Sequence, residues 1–217
     1  MHDRLICFIG IDGSGKSTAS KILMKMLEDL GIKCHIVWGA YDLWFLRPII
    51  RTAKHFFLKN PSPYTNYSEY SNEMKKTSGK KKLLRVYKFL VFCEYWLEMF
   101  IKVRMPLLIG RTVICDRYVF DTIINICSNI GVTMAEFRAT LTRWMRFFPE
   151  PGLIVYFNVP PEVSIARKND IPNIEYVRKR QTYYKDLSKF LPVIEIDGTL
   201  RVEEIEEKLK LLVNDVR

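Results

Sequence analysis

Histidine is scarce in this 217-residue chain: there are three, His2, His35 and His55, and none stands at metal-ligand spacing, which argues against a zinc site. No C-x-x-C occurs. The five cysteines (Cys7, Cys34, Cys93, Cys115, Cys127) are odd in number and scattered through expected strands and helices. They read as buried free thiols in a reducing cytosol rather than a disulfide framework. Long uninterrupted apolar runs are missing too. The longest, Phe89 to Val103, is broken by Glu94, Glu98 and Lys102, which argues against a membrane span. "MHDR" leads straight into a loop motif and leaves no room for a signal peptide, so a cytoplasmic location is expected. There is no internal repeat.

What is present is an ordinary globular balance, 48% hydrophobic and 27% charged residues, long enough for one domain over residues 1–217. The formal net charge of +10 suits anionic partners such as nucleotides, nucleic acid or acidic membranes, without choosing among them.

Along the chain, "RLICFIG", "KCHIVWG", "TVICD", "GLIVYFNV" and "PVIEID" read as strands, and helical patterns fall between them. "YDLWFLRPIIRTAKHFFL" is helical in pattern, with Pro48 kinking or restarting it. The polar stretch at about 59–82 reads as a mobile segment inside the one domain. From about Leu83 to Leu108 a long helix is apolar on almost every face, as a buried or subunit-covered helix is. Two of its stripes stand out: Leu90, Cys93, Leu97 and Ile101, and Phe89, Phe92, Trp96 and Phe100. One can pack on the sheet, leaving the other for a homodimer contact. Strands alternating with helices predict an α/β fold with a mostly parallel five-stranded sheet flanked by helices.

The stretch "FIGIDGSGKST" fits G-x-x-x-x-G-K-[ST] through Gly10, Gly15, Lys16 and Ser17, with Gly13 inside it. Glycines let successive backbone N–H groups point at phosphate oxygens, and the helix that follows adds a favourable dipole. The loop from Gly10 through Asp12, Gly13, Ser14, Gly15, Lys16 and Ser17 to Thr18 is therefore expected to hold ATP, with Lys16 on the terminal phosphates and Ser17 on Mg²⁺. A phosphate loop alone names no reaction. In "TVICDRYVFDT", Asp116 ends a strand, where an acid that orders Mg²⁺ and its waters is expected. Arg117 follows it, where an ATPase that activates water usually carries another acid. An arginine beside the metal acid suits a second anionic substrate better than hydrolysis.

"GIDGSGKST" and "DRY" together resemble the thymidylate kinases, of the nucleoside monophosphate kinase group. "VYFNVPPEVSIARKNDIPNIEYVRKRQTYYKDLSKF" and "IEIDGTLRVEEIEEKL" are similar to that family's lid region and last strand and helix. The resemblance implies phosphoryl transfer from ATP–Mg²⁺ to a nucleoside monophosphate, with dTMP as first guess. Carried over by position, Lys16, Asp116 and Arg117 are catalytic, and so are Arg167 and Arg178 (with Arg180) in a short lid at about 166–181. Ser17 and Asp116 hold the metal, and Asp12, Phe92, Trp96 and Arg117 meet the acceptor. Two departures bear on that acceptor. Where the family carries Thr-Arg-Glu-Pro-Gly after the second strand, this chain has "VWGAYDLWFLRP", which leaves Arg47 or Arg51 to reach the phosphate. Where the family carries a base-reading arginine, Trp96 stands, which offers one donor and no guanidinium fork.

Two other classes stay open: a relative with a changed acceptor, and a nucleic-acid-associated ATPase. The latter draws on the charge and the cluster Lys75, Lys76, Lys80, Lys81, Lys82, Arg85 and Lys88. On the leading reading no specific nucleic acid is a partner.

Overall fold

β1 (Leu5–Ile9) consists of five apolar residues, all buried. A strand with no polar position has two faces to bury, and a parallel sheet under helices on both sides buries both. The computed structural model, which describes residues 4–41, 81–168 and 171–215, builds that sheet from β1, β2 (Cys34–Trp38), β3 (Thr112–Asp116), β4 (Leu153–Asn158) and β5 (Ile194–Asp197). The order is β2-β3-β1-β4-β5, and every pairing is parallel.

Alternation along β1 divides the core. Ile6 and Phe8 face α1 (Lys16–Asp29) and α8 (Val202–Asp215), where they pack with Leu23, Leu27, Phe157 and Leu209. Leu5, Cys7 and Ile9 face the other layer, built from α2 (Lys81–Met99), α4 (Val119–Ile130), α5 (Met134–Met145) and α7 (Ile174–Leu187). α5 starts at a capping box in which Thr133 and Glu136 satisfy each other's backbone N–H. Gly131, at φ 74°, stops α4.

α2 continues through a π-helical segment (Phe100–Arg104) into α3 (Met105–Leu108), so the long helix expected from the sequence is present. Its inward face is a different one from either expected stripe. Tyr95, Met99 and Val103 are 0% exposed and Leu107 is 3% exposed, whereas Leu90, Leu97 and Ile101 are 41%, 43% and 54% exposed. The inward residues are four apart. An α-helix of 3.6 residues per turn would carry such a row around its axis, and the wider turn of the π segment keeps it on one side.

Of the thiols, Cys7, Cys115 and Cys127 are buried, but Cys34 is half-buried and Cys93 exposed, against the expectation that all are buried. The expected helix around Pro48, with Arg47 and Arg51, lies outside the described residues. So does the polar stretch 59–82 except its last two residues, which open α2. The expected lid at 166–181 begins at the end of α6 (Pro161–Arg167) and ends within the first turns of α7.

Candidate active site

β1 and β3 are neighbours, with Phe8 opposite Asp116, so the loops that leave their carboxyl ends emerge side by side. That edge is where open α/β sheets bind ligands. The loop after β1 turns through Gly13 at φ 71° and Gly15 at φ 96° before α1 begins at Lys16. A Cβ on Gly13 would lie 2.8 Å from the Ser164 carbonyl oxygen, so α6 packs directly on the loop.

Lys16 is buried, and its Nζ donates to the Ile11 carbonyl (2.6 Å) and to Ser14 Oγ (2.9 Å). Burial, reinforced by Arg117 and opposed by Asp121, Asp116 and Asp12, pulls its pKa down to about 7. The Ser17 hydroxyl donates to Asp116 Oδ2. A cleft of about 460 Å³ opens over these groups, lined by the chain from Asp12 to Ala19 and by Asp116, Arg117 and Arg167. Its far wall is apolar, with Ile22, Leu200, Val202 and Ile205. Arg167 donates to the Gly198 carbonyl (2.7 Å) and ties the loop after β5 to this cleft.

Beside it lies a second cleft, of about 230 Å³, which shares Asp12, Trp38 and Arg117 with the first. Arg117 has φ 74°, in the left-handed region a side chain rarely adopts, which turns it back towards the phosphate loop. Its Nη2 lies 2.5 Å from Asp12 Oδ1, and its Nη1 donates to Asp121 Oδ1 (3.2 Å). Asp121 is buried and also accepts from the Tyr118 N–H (3.0 Å) and the Tyr184 hydroxyl (2.5 Å). Burial raises the Asp121 pKa in spite of these donors. For Arg117, burial works against its charge, but Asp121, Tyr184 and Asp12 outweigh it and hold the pKa above the ordinary value. Three donors thus aim at Asp121, and the arginine it faces stays charged. Burial likewise pushes Asp12 up, and Arg117, Lys16, Arg180 and Lys168 together bring it below the ordinary carboxylate range.

The end of β2 braces Arg117 from behind. The Gly39 N–H donates to the Asp116 carbonyl (3.1 Å), and its own carbonyl accepts from the Tyr95 hydroxyl (2.7 Å). A Cβ at Gly39 would sit 2.3 Å from the Arg117 carbonyl oxygen, so only glycine allows this approach.

Of the residues expected from the sequence, the structure brings together Asp12, Gly13, Ser14, Gly15, Lys16, Ser17, Thr18, Asp116, Arg117 and Arg167 around the larger cleft. The Gly10 carbonyl faces Arg117 Nη1 at 3.4 Å, beneath the loop. Three expectations are corrected. Arg178 turns outward and pairs with Glu162 at 3.0 Å, with both side chains about 60% exposed. Phe92 is consumed by edge-on contacts with Trp144, Phe147 and Phe148 and lines neither cleft. Trp96 lies beside Phe100, the two rings tilted by 33°, and donates to the Phe147 carbonyl (3.2 Å), also away from both clefts. Residues the sequence reading did not place here include Trp38, Asp121, Asn125, Tyr176 and Tyr184. For Asp121 a signal existed, since it stands four residues after Arg117 in the first turn of a helix, where the two side chains meet.

This is the sheet order and loop placement of a P-loop kinase fold. Over 97% of this chain, the structure of a deoxyadenosine kinase from M. mycoides with bound dATP superposes with a TM-score of 0.56 at 17% identity, covering 99% of that chain. In sequence the chain is thymidylate-kinase-like along nearly its whole length. It is 27% identical to a probable thymidylate kinase of Sulfolobus acidocaldarius, over 97% of this chain and 93% of that protein. Identity is again 27% to a probable thymidylate kinase of Pyrococcus abyssi (98% and 97% covered) and 24% to the thymidylate kinase of Plasmodium falciparum (99% and 91%). No family model matches the chain.

Proposed function

We propose that this protein transfers the terminal phosphoryl group of ATP to a nucleoside monophosphate, with dTMP as the first acceptor to test. One observation carries the reading. The phosphate-loop cleft meets a second, arginine-bearing cleft at Asp12, Trp38 and Arg117, so two anionic substrates can be held end to end. A hydrolase needs a positioned water, and beside Asp116 the chain offers the cation Arg117 instead. Transfer of this kind relies on positioning and positive charge, which Lys16, Arg117 and Arg167 supply around the junction. Ser17 Oγ and Asp116 are adjacent hard oxygen donors and fit Mg²⁺, which when bound would neutralise charge on the phosphate oxygens. The segment from Arg167 into α7 acts as the lid.

A changed acceptor is the second reading. It is favoured by Trp38, Gly39, Ala40 and Tyr41 at the end of β2, and by the removal of Phe92 and Trp96 from the pocket. ADP release screened across nucleoside monophosphates, with sugars and alcohols included, decides. Turnover on a nucleoside monophosphate supports the proposal. Turnover only on another acceptor, or only with added DNA or RNA, overturns it.

The exposed row Leu90 and Leu97 on α2 and Ile101 in the π segment is read as the contact for a second copy of the chain, since large apolar side chains aligned on one helix face call for cover. Sedimentation as a monomer at micromolar concentration would count against it. Among the described residues no helix is long and apolar enough to cross a membrane.

A further inference from the structure

We propose that Arg180 and Arg117 form a two-armed clamp for the phosphate of the acceptor, and that Asp12 occupies this clamp when the acceptor is absent. The inference rests on the reading above and assigns the residue that recognises the acceptor's anionic end.

The end of β2, which forms one wall of the smaller cleft, is Trp38, Gly39, Ala40 and Tyr41 and brings no cation. Positive charge reaches this cleft from α7 instead. The Arg180 side chain is only 12% exposed, and its guanidinium lies 3.9 Å above the Tyr176 ring. Its Nη2 donates to Asn125 Oδ1, its Nη1 stands 3.9 Å from Asp12 Oδ2, and its Nε is buried with no hydrogen-bond partner. A guanidinium has five donors in a rigid fork. Here the fork is fixed by an aromatic face and an amide, its Nη1 stands beyond hydrogen-bond distance of Asp12, and its Nε has no acceptor.

Arg117 faces the same carboxylate from the other side. Asp12 presents Oδ1 to Arg117 and Oδ2 to Arg180, and Lys168 Nζ stands 4.0 Å from Oδ1. A phosphate monoester offers the same two-oxygen edge with a third oxygen and more charge, and arginine forks bind it through paired hydrogen bonds. Three cations stand here against the two carboxylates Asp12 and Asp121. A dianion therefore competes well for the two arginines. Asp121 keeps hold of Arg117 through Nη1, and Asn125 keeps hold of Arg180 through Nη2, so both arms stay in place during the exchange. Asp12, released from the arginines, is then free to accept a hydroxyl of the acceptor.

The test uses the full chain with its larger cleft filled by a non-hydrolysable ATP analogue. Inorganic phosphate is titrated in and followed by calorimetry, for wild type, Arg180→Gln and Arg180→Lys. Phosphate binding should weaken at least ~10-fold in Arg180→Gln and recover partly in Arg180→Lys, which keeps the charge but loses the fork. In steady state with dTMP, Arg180→Gln should raise the acceptor KM at least ~10-fold while the ATP KM stays within about twofold. Equal phosphate binding by wild type and both folded variants overturns the clamp. So does a raised ATP KM with an unchanged acceptor KM, which would place Arg180 on the donor. If phosphate binds in an Arg180-dependent way but no nucleoside monophosphate is turned over, the clamp stands and the nucleoside monophosphate reading falls.

Discussion

Under the proposed function, the donor and acceptor halves of the site are built on opposite plans. The donor half comes from one continuous stretch, Asp12 to Ala19, whose backbone and side chains do the holding, with Asp116 and Arg167 added at its edge. The acceptor half is assembled from β2, the start of α4 and α7, and it is held by charge pairs among Asp12, Arg117, Asp121 and Arg180. A contiguous loop can be kept by local geometry alone. A dispersed pocket depends on each of its elements staying in register. The donor half is therefore suited to persistence, and the acceptor half to change.

The sharpest way to break this contrast is at Lys16. Lys16→Ala should cut kcat by at least ~100-fold, because it removes charge stabilisation at the transferring group, while the acceptor's binding is left nearly unchanged. Turnover within a few-fold of wild type in a folded variant would remove the donor half from the chemistry.

Asp121→Ala should hit the acceptor half and the fold together. It strands Arg117 and the Tyr184 hydroxyl, and breaking a buried pair from one side costs about 3–5 kcal/mol. Chemical denaturation reads the stability loss, and the acceptor KM should rise more than the ATP KM. A stable variant with an unchanged acceptor KM would show that Arg117 needs no such anchor.

A subtler expectation concerns protons. With a pKa of about 7, Lys16 in the free protein is mostly neutral at pH 8. Bound phosphates favour its charged form, so ATP binding at pH 8 should draw up a proton, while at pH 6 Lys16 is already charged and contributes none. Calorimetry in buffers of different ionisation enthalpy measures this. Equal uptake at both pH values, or uptake that persists in Lys16→Ala, would assign the proton elsewhere.

The smallest effect should come from Trp96→Arg. Trp96 lies against Phe147 and Phe100 and outside both clefts, so kcat/KM for every acceptor should stay within about threefold. A change of preference among acceptors would return Trp96 to the pocket.

The same contrast explains what could be read from the sequence. The parallel sheet and the phosphate loop were legible because their signals are local: apolar runs for the strands, and glycines, lysine and serine at fixed spacing for the loop. Asp116 and Arg117 were legible because they end a strand beside that loop. The acceptor pocket was not, since its parts meet only through the fold. Arg178 and Arg180 look alike in the sequence, yet two residues along a helix turn a side chain through about 200°. Arg180 lies on the side of the buried Val177 and Tyr184, three and four residues away, and Arg178 lies on the solvent side. The row Tyr95, Met99, Val103 and Leu107 is not legible in the sequence, because no local signal marks the π segment that holds a spacing of four on one side. The aromatic pair Phe92 and Trp96 drew attention by resemblance, while Phe147 and Phe148, which cover Phe92, come from a distant turn.

That widened stretch at Phe100–Arg104 makes the chain tolerant of a change in length at one point. Removing a single residue there, Ile101 for instance, lets the segment relax to an ordinary helix, in which Tyr95, Met99, Val103 and Leu107 fall at spacings of four, three and four and stay on one face. Tyr95 would keep its reach to the Gly39 carbonyl, and with it the brace behind Arg117. The helix could thus lose a residue, far from either cleft, and leave both halves of the site in place.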